Sequence, residues 1–304
     1  MTITLKQMRY ALAVARTGHF GQAAADCAVS QPALSQQIQV LETLCGTQLF
    51  DRLKSGVRLT PFGREFVELA KPTVAASEAL DDFALRRAGT PNRPIRFGLI
   101  PTVAPYLLPE IFPALTERLP ALRFTVSESR TEALLESLSD GTLDLALIAS
   151  APPAGGPKLV SAPLFEDAFV LATHSGESTA EPVSLAALAP ERILLLDEGH
   201  CFRDQTITAC RLEGERSSRT FAATSLSTIV EFVANGQGVT LLPQIALRKE
   251  ASDPRIAVHR LDDPRAGRHL ALVWREATPL GATFEAIADV IRQTRTHQEV
   301  PISQ

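Results

Sequence analysis

The sequence predicts an α/β protein in three parts: an N-terminal winged helix-turn-helix, a long linker helix, and a two-lobed α/β domain. Three observations carry this expectation. Short helical stretches meet at Ser30-Gln31-Pro32 and lead into two short apolar-basic segments. Apolar positions then repeat in alternating steps of four and three from Phe62 to Phe83. Beyond residue 94, short apolar runs alternate with helical patterns. The expected boundaries are residues 1–60, 61–90 and 91–304.

At 304 residues the chain can hold more than one apolar core. Its composition is that of a globular protein, 45% apolar with a net charge of -4, so neither a disordered tail nor a disulfide-stapled mini-protein fits. No apolar run reaches the ~18 residues of a membrane span, and no signal-peptide core precedes the first helix. A cytoplasmic protein with no membrane partner is expected. Charge is uneven: in residues 1–60, Lys6, Arg9, Arg16, Arg52, Lys54 and Arg58 outnumber Asp26, Glu42 and Asp51, a net of +3. A small basic module on an acidic body fits a nucleic-acid reader with a separate sensing part. On charge alone, chance fluctuation explains it equally well.

The first helix is read from Leu5, Met8, Leu12 and Ala15 at helical spacing, ended by Gly18. "FGQAAADCAV" follows, with small side chains that allow close packing, and Ser30 then caps a helix to about Leu44 with Pro32 in its first turn. On that helix Leu34, Ile38 and Leu41 share one face. Gln31, Ser35, Gln36 and Gln39 lie on or beside another, without an acid, which suits base edges and phosphates in a major groove. A merely solvated polar face is the bland alternative. "LFDRLKSGVRLTPFG" reads as a wing of two strands turning at Ser55-Gly56, with Thr60 capping the next helix. Arg52, Lys54 and Arg58 on the wing are candidate phosphate contacts, and Gln31, Pro32, Ser35 and Gln36 candidate groove contacts.

"AVSQPALSQQIQVLETLCGTQLFDR" and "RLTPFGREF" resemble the winged helix-turn-helix of the LysR-type transcriptional regulators across residues 1–66. The resemblance implies double-stranded promoter DNA as a partner. In the linker, Phe62, Phe66, Leu69, Thr73, Ala76, Leu80 and Phe83 form a heptad seam. Sustained 3.5-residue spacing predicts pairing with a second helix, so Phe62, Phe66, Leu69, Leu80 and Phe83 are expected to dimerise the protein. Pro72 is expected to bend that helix, and Gly89 to Pro94 to end it.

In the body, "IRFGLI", "RFTVSES" and "LDLALIAS" read as strands separated by helices at Pro105 to Glu117 and Glu132 to Leu138. That order implies a parallel sheet. A second set follows in "AFVLAT", "RILLLD", "RTFAAT", "GVTLLP", "AVHRL" and "LALVWR", with helices at Ser227 to Ala234 and about Thr283 to Arg295. The resemblance to the LysR-type effector domain extends over this region. It implies a periplasmic-binding-protein-like fold with a ligand cleft between two lobes. Thr102, Thr131 and the Thr224-Ser225 pair stand at strand ends or helix starts, positions that face such a cleft, although each is a plain cap when taken singly.

"EGHCFRDQTITAC" places two of the four cysteines nine residues apart. Cys201 is expected at a helix start beside His200 and Arg203, where the helix-end charge and the basic neighbours favour thiolate. Such a thiolate attacks a peroxide oxygen while nearby donors receive the departing hydroxide. Arg203, His200 and the cleft threonines are candidates, with Asp204 and Gln205 as supporting groups. The sulfenic acid that forms condenses with a second thiol, for which Cys210 is the obvious partner. In a continuous helix nine steps would set the thiols ~13.5 Å apart along the axis on opposite faces. A disulfide needs Cα atoms within ~7 Å, so bridging requires a change of shape. The bland alternative makes both cysteines inert apolar residues, as Cys27 and Cys45 are taken to be. Zinc spacing and Cys-x-x-Cys are absent, and no metal and no cofactor are expected.

"GHCFRDQ" with the second cysteine, "GLIPTVAPYLLP" and "FAATSL" resemble the hydrogen-peroxide-sensing branch of the LysR-type family. The resemblance implies Cys201 as the peroxidatic and Cys210 as the resolving cysteine. It places Thr102, Thr131, His200, Arg203, Asp204 and Arg268 around the sensing thiol. A disulfide and a persistent sulfenic acid both stay open as the oxidised end state. The implied protein is a homotetrameric, non-enzymatic activator or repressor of oxidative-stress genes, with hydrogen peroxide as signal and RNA polymerase as a further partner. The alternatives are a LysR-type regulator that binds a small anionic metabolite in the interlobe cleft, and a stand-alone thiol peroxidase.

Overall fold

The computed structural model describes residues 2–53, 56–85, 93–150, 158–177, 179, 181–212 and 222–296. The chain divides into two units, residues 1–92 with 139–142, and residues 93–138 with 143–304. No described helix is long and apolar enough to cross a membrane.

In the first unit, α1 (Leu5–Thr17) starts at a capping box: the Thr4 hydroxyl accepts from the Gln7 N–H, and the Gln7 side chain accepts from the Thr4 N–H. Gly18, at φ 63, ends it in the left-handed conformation that favours glycine. Its buried stripe is Gln7, Tyr10, Ala11, Ala13 and Val14, whereas Leu5 is 40% exposed. The expected apolar stripe thus located the helix but missed its core face, because Tyr10, two alanines and Val14, not Leu5, face the other helices. α2 (Phe20–Asp26) and α3 (Gln31–Cys45) follow, and Ser30 caps α3 with Pro32 in its first turn. Leu34, Ile38 and Leu41 are fully buried. Gln31, Pro32 and Gln36 are exposed and Ser35 is half-buried, so the polar face predicted to meet DNA is turned away from the unit's core.

β1 (Phe50–Leu53) and β2 (Gly56–Leu59) pair antiparallel, with Phe50 opposite Leu59 and Leu53 opposite Gly56, as the wing required. The Val57 N–H donates to the Gly18 carbonyl, tying the wing to the end of α1. Arg58 is exposed on β2, Arg52 lies on β1, and Lys54 lies outside the described residues. α4 (Pro61–Leu85) begins where the Thr60 hydroxyl accepts from the Gly63 N–H. A Cβ on Gly63 would collide with the Leu49 carbonyl, so only glycine lets α4 start against the wing. The helix continues through Pro72. Val67, Ala70 and Val74 are buried on one side, while Phe62, Leu69 and Leu80 are 40%, 73% and 69% exposed. Phe66 is half-buried, and the side chain of Phe83 lies outside those described.

The second unit is built on a seven-stranded sheet. β3 (Ile95–Leu99) pairs in parallel with β4 (Phe124–Glu128) and β5 (Leu145–Ile148), linked by α5 (Ala104–Arg118) and α6 (Thr131–Ser139). This is the parallel alternation read from the sequence. The remainder departs from it. β6 (Leu159–His174) is one 16-residue strand, of which "AFVLAT" is only the distal part. Next in chain order come β7 (Leu195–Leu196), α7 (Cys201–Ala209), β8 (Ala222–Ala223), α8 (Leu226–Ala234), β9 (Thr240–Pro243), α9 (Leu247–Glu250), β10 (Ile256–His259), β11 (Gly267–Arg275) and α10 (Gly281–Thr296). β9, β10 and β11 all pair antiparallel with β6, and β11 also pairs antiparallel with β5. One strand long enough to serve both halves replaces a second parallel sheet, and a register shift between Leu270 and Ala271 lets β11 follow it. β7 and β8 form a separate short parallel pair.

A cysteine at a small cavity

Cys201 is the first residue of α7, with His200 as N-cap. Gly199, at φ 84, turns the chain from β7 into the helix. The left-handed φ is what calls for glycine, and the exposed Arg130 guanidinium packs against it, with Nη1 2.9 Å from where a Cβ would lie. The Arg203 N–H donates to the His200 carbonyl in a tightened first turn, and Cys201 sits at the positive end of the helix dipole.

Cys201 opens onto a cavity lined also by Ile100, Pro101, Thr102, Arg130, Thr131, Gly199 and His200. The space is small: about 170 Å³ of empty volume with the open mouth included, and about 10 Å³ in which the centre of a water molecule fits. That is room for roughly one water-sized group. The Thr131 hydroxyl oxygen is buried and has no hydrogen-bond partner among the described residues. A buried hydroxyl without a partner is costly, and a small polar guest in the cavity would satisfy it.

Thr102, 3% exposed, is held from behind by Arg268. The Arg268 Nη1 donates to the Thr102 hydroxyl at 2.8 Å and Nη2 to the Thr102 carbonyl at 2.9 Å. Arg268 Nε donates to Asp167 at 2.9 Å, and both side chains are fully buried. The other Asp167 oxygen accepts from the Ile245 N–H, and the guanidinium lies 5.3 Å from the Phe202 ring centre. Arg268 therefore does not line the cavity. It occupies one lone pair of the Thr102 hydroxyl and leaves the hydroxyl proton free to donate elsewhere.

Besides Arg268, two expected pocket residues stand elsewhere. Arg203 donates to the Leu196 carbonyl at 2.9 Å, fastening α7 to β7, and does not line the cavity. Asp204, the fourth residue of α7, is exposed on the solvent face of that helix. Gln205 donates to the Ala149 carbonyl at 2.6 Å and so ties α7 to the end of β5. Ser225 accepts from the Thr228 N–H and is a helix cap; neither it nor Thr224 lines this cavity. Arg130 was missed. Its signal was the "SESR" run that ends immediately before Thr131.

His200 is 5% exposed. Burial, together with the Arg130 guanidinium, pushes its imidazole below the usual histidine range, against a smaller opposing pull from Asp197. At neutral pH His200 is therefore an uncharged hydrogen-bonding ring, not the cation that its place in the sequence suggested. Cys210 is the C-cap of the same helix, 7% exposed and packed in the main apolar core. Burial pushes its thiol up to about 11. Both cysteines are free thiols, and α7 runs unbroken between them.

Profiles of two protein families match this chain: the bacterial regulatory helix-turn-helix of the lysR family over residues 5–64, and the LysR substrate binding domain over residues 88–296. The chain belongs to the LysR family of bacterial transcription regulators. Among LysR relatives it is 40% identical to a probable hydrogen peroxide-inducible genes activator of Streptomyces viridosporus, over 95% of this chain and 94% of that one. Full-length OxyR from Pseudomonas aeruginosa, in a cysteine-to-aspartate form, superposes with a TM-score of 0.78 at 33% identity, covering 96% of this chain and 95% of that one. A cysteine-to-serine mutant of Corynebacterium glutamicum OxyR with hydrogen peroxide bound gives 0.65 at 33% identity, covering 98% and 94%. The N-terminal module of this LysR protein is thus a DNA-binding head, and its second unit a ligand-sensing domain.

Proposed function

We propose that this LysR-family regulator senses hydrogen peroxide through Cys201 and relays its oxidation to promoter DNA by forming a disulfide with Cys210. The single observation that carries the proposal is a thiol at a helix start opening onto a cavity sized for roughly one small polar molecule, whose Thr131 hydroxyl lacks a partner among the described residues. The thiolate attacks one peroxide oxygen, the O–O bond breaks, and the departing hydroxide is met by donors. Thr102, held by Arg268 with its proton free, and Thr131 are the groups suited to that task. The sulfenic acid on Cys201 cannot reach Cys210 while α7 is helical, because nine residues of helix separate them by ~13.5 Å along the axis. Condensation requires α7 to unwind and draw Cys210 out of the core.

That rearrangement is the switch. It alters the second unit, and through α4 pairing it resets the spacing of DNA-binding heads in a homotetramer acting in the cytoplasm with RNA polymerase on oxidative-stress genes. The chemistry is stoichiometric signalling, not turnover. A metabolite-sized anion is the competing occupant, and the small volume of the cavity disfavours it. The test is to expose purified protein to micromolar peroxide, count free thiols, and footprint promoter DNA before and after. Loss of the Cys201 and Cys210 thiols with a changed footprint is expected. If Cys201→Ser retains both the thiol loss and the DNA response, the proposal fails.

A further inference from the structure

The cations around Cys201 are not equivalent. Arg203 is spent on the Leu196 carbonyl, and Arg268 on Thr102 and Asp167. Arg130 differs from both. It lines the cavity, it is exposed, and although its carbonyl accepts from the Leu134 N–H, its guanidinium makes no hydrogen bond or ion pair among the described residues. Its guanidinium packs against Gly199, one residue from His200 and two from Cys201, at a place that a side chain on residue 199 would block. The interior takes roughly one water-sized group, so any larger guest must leave the rest of itself at the mouth, beside Arg130. Neutral hydrogen peroxide gives that guanidinium no partner. An oxyanion would, because the planar fork of arginine matches carboxylate and carbonate oxygens.

We infer that Arg130 makes the cavity selective for anionic peroxides, the O–O end seated against Cys201 and the anionic group paired with Arg130 at the mouth. This deepens the peroxide-sensing proposal and rests on it. The simplest member of the class is peroxymonocarbonate, formed from hydrogen peroxide and bicarbonate. The sulfur lone pair of Cys201 attacks the terminal peroxide oxygen, an S–O bond forms, and the O–O bond breaks with its electron pair leaving on carbonate. Carbonate takes up the proton released by the thiol. Thiol and peroxymonocarbonate become sulfenic acid and bicarbonate, the sulfur being oxidised by the two electrons that reduce the peroxide. The leaving group departs as an anion beside Arg130.

The test measures loss of the Cys201 thiol in the full-length protein by rapid mixing, with hydrogen peroxide pre-equilibrated in bicarbonate or in chloride of equal ionic strength. The readout is the ratio of the two rates, with free cysteine as reference for the intrinsic acceleration. The wild-type ratio is expected to exceed that of free cysteine by about fivefold, the scale of one partly exposed charge acting on an anion. Arg130→Gln is expected to abolish the excess, and Arg130→Lys to keep part of it. A wild-type ratio equal to that of free cysteine overturns the inference, as does an excess that survives Arg130→Gln. No reaction of Cys201 with peroxide in chloride would instead bring down the sensing proposal itself.

Discussion

Arg268 donates to both the hydroxyl and the carbonyl oxygens of Thr102, at 2.8 and 2.9 Å, from a position where its side chain is wholly buried. Two bonds to one residue fix where Thr102 points. The hydroxyl is left as a donor toward the cavity, and Asp167 keeps the buried guanidinium neutralised. Arg268→Met is therefore expected to cost stability by about 3–5 kcal/mol, since Asp167 would lose its partner in the core. Thr131→Val tests the site without that cost. Its oxygen has no partner to lose, so the denaturation midpoint should stay put while the peroxide rate falls by ten- to a hundredfold, on the scale of a lost oxyanion donor. An unchanged rate in Thr131→Val would remove that hydroxyl from the chemistry.

Acid should weaken the fold through His200. Its imidazole is held below the ordinary value of about 6.5 in the folded chain, chiefly by burial. Between its folded and unfolded values the unfolded chain binds the proton and the folded one does not. Stability is thus complete above pH ~6.5 and declines as pH falls toward the folded value. Urea denaturation at pH 7.5 and 5.5 should show that decline shrinking in His200→Gln. An identical pH dependence in the variant would count against a buried neutral imidazole.

Cys210 should be silent until Cys201 is oxidised. At 7% exposure, with a thiol pushed up to about 11 by burial, it offers almost no thiolate near neutral pH. Its pKa lies above the unfolded value of about 8.5, so its contribution to stability is intact below that pH and fades as pH climbs toward 11. Iodoacetamide labelling of Cys201→Ser should modify Cys210 at least about tenfold more slowly than in the urea-unfolded chain. Peroxide treatment of the wild type should raise amide exchange across residues 201–210. Rapid labelling in the reduced fold would argue that α7 is already open.

The exposed stripe on α4 should hold two chains together. Leu69 and Leu80, 73% and 69% exposed, lie on the face opposite Val67, Ala70 and Val74. Leu69→Asp with Leu80→Asp should leave the folded head intact, because neither side chain is in its core. Sedimentation should then show a smaller assembly, and operator affinity should drop by tenfold or more as paired half-site binding is lost. An unchanged sedimentation coefficient would place the pairing surface elsewhere.

Much of the head was legible in the chain because its signals are local. Ser30, Pro32 and Thr60 act within a turn of themselves, Gly18 ends a helix by its own φ, and the paired strands of the wing are only four residues long. The nine-residue spacing of Cys201 and Cys210 likewise carried its own geometry, since a helix has a known rise. Side-chain partners around the thiol were not legible in the same way. Arg203 is two residues from Cys201 in the chain yet turns to Leu196, Asp204 turns to solvent, and Arg130 arrives from the start of a different helix. Arg268 reaches Thr102 only because β11 runs antiparallel beside a β6 longer than its apolar core suggested. Caps, turns and periodicities are set by neighbours along the backbone, and a reader of residues can find them. Which cation meets which oxygen depends on sheet register and on burial energies shared among distant segments, and these exist only once the chain has folded.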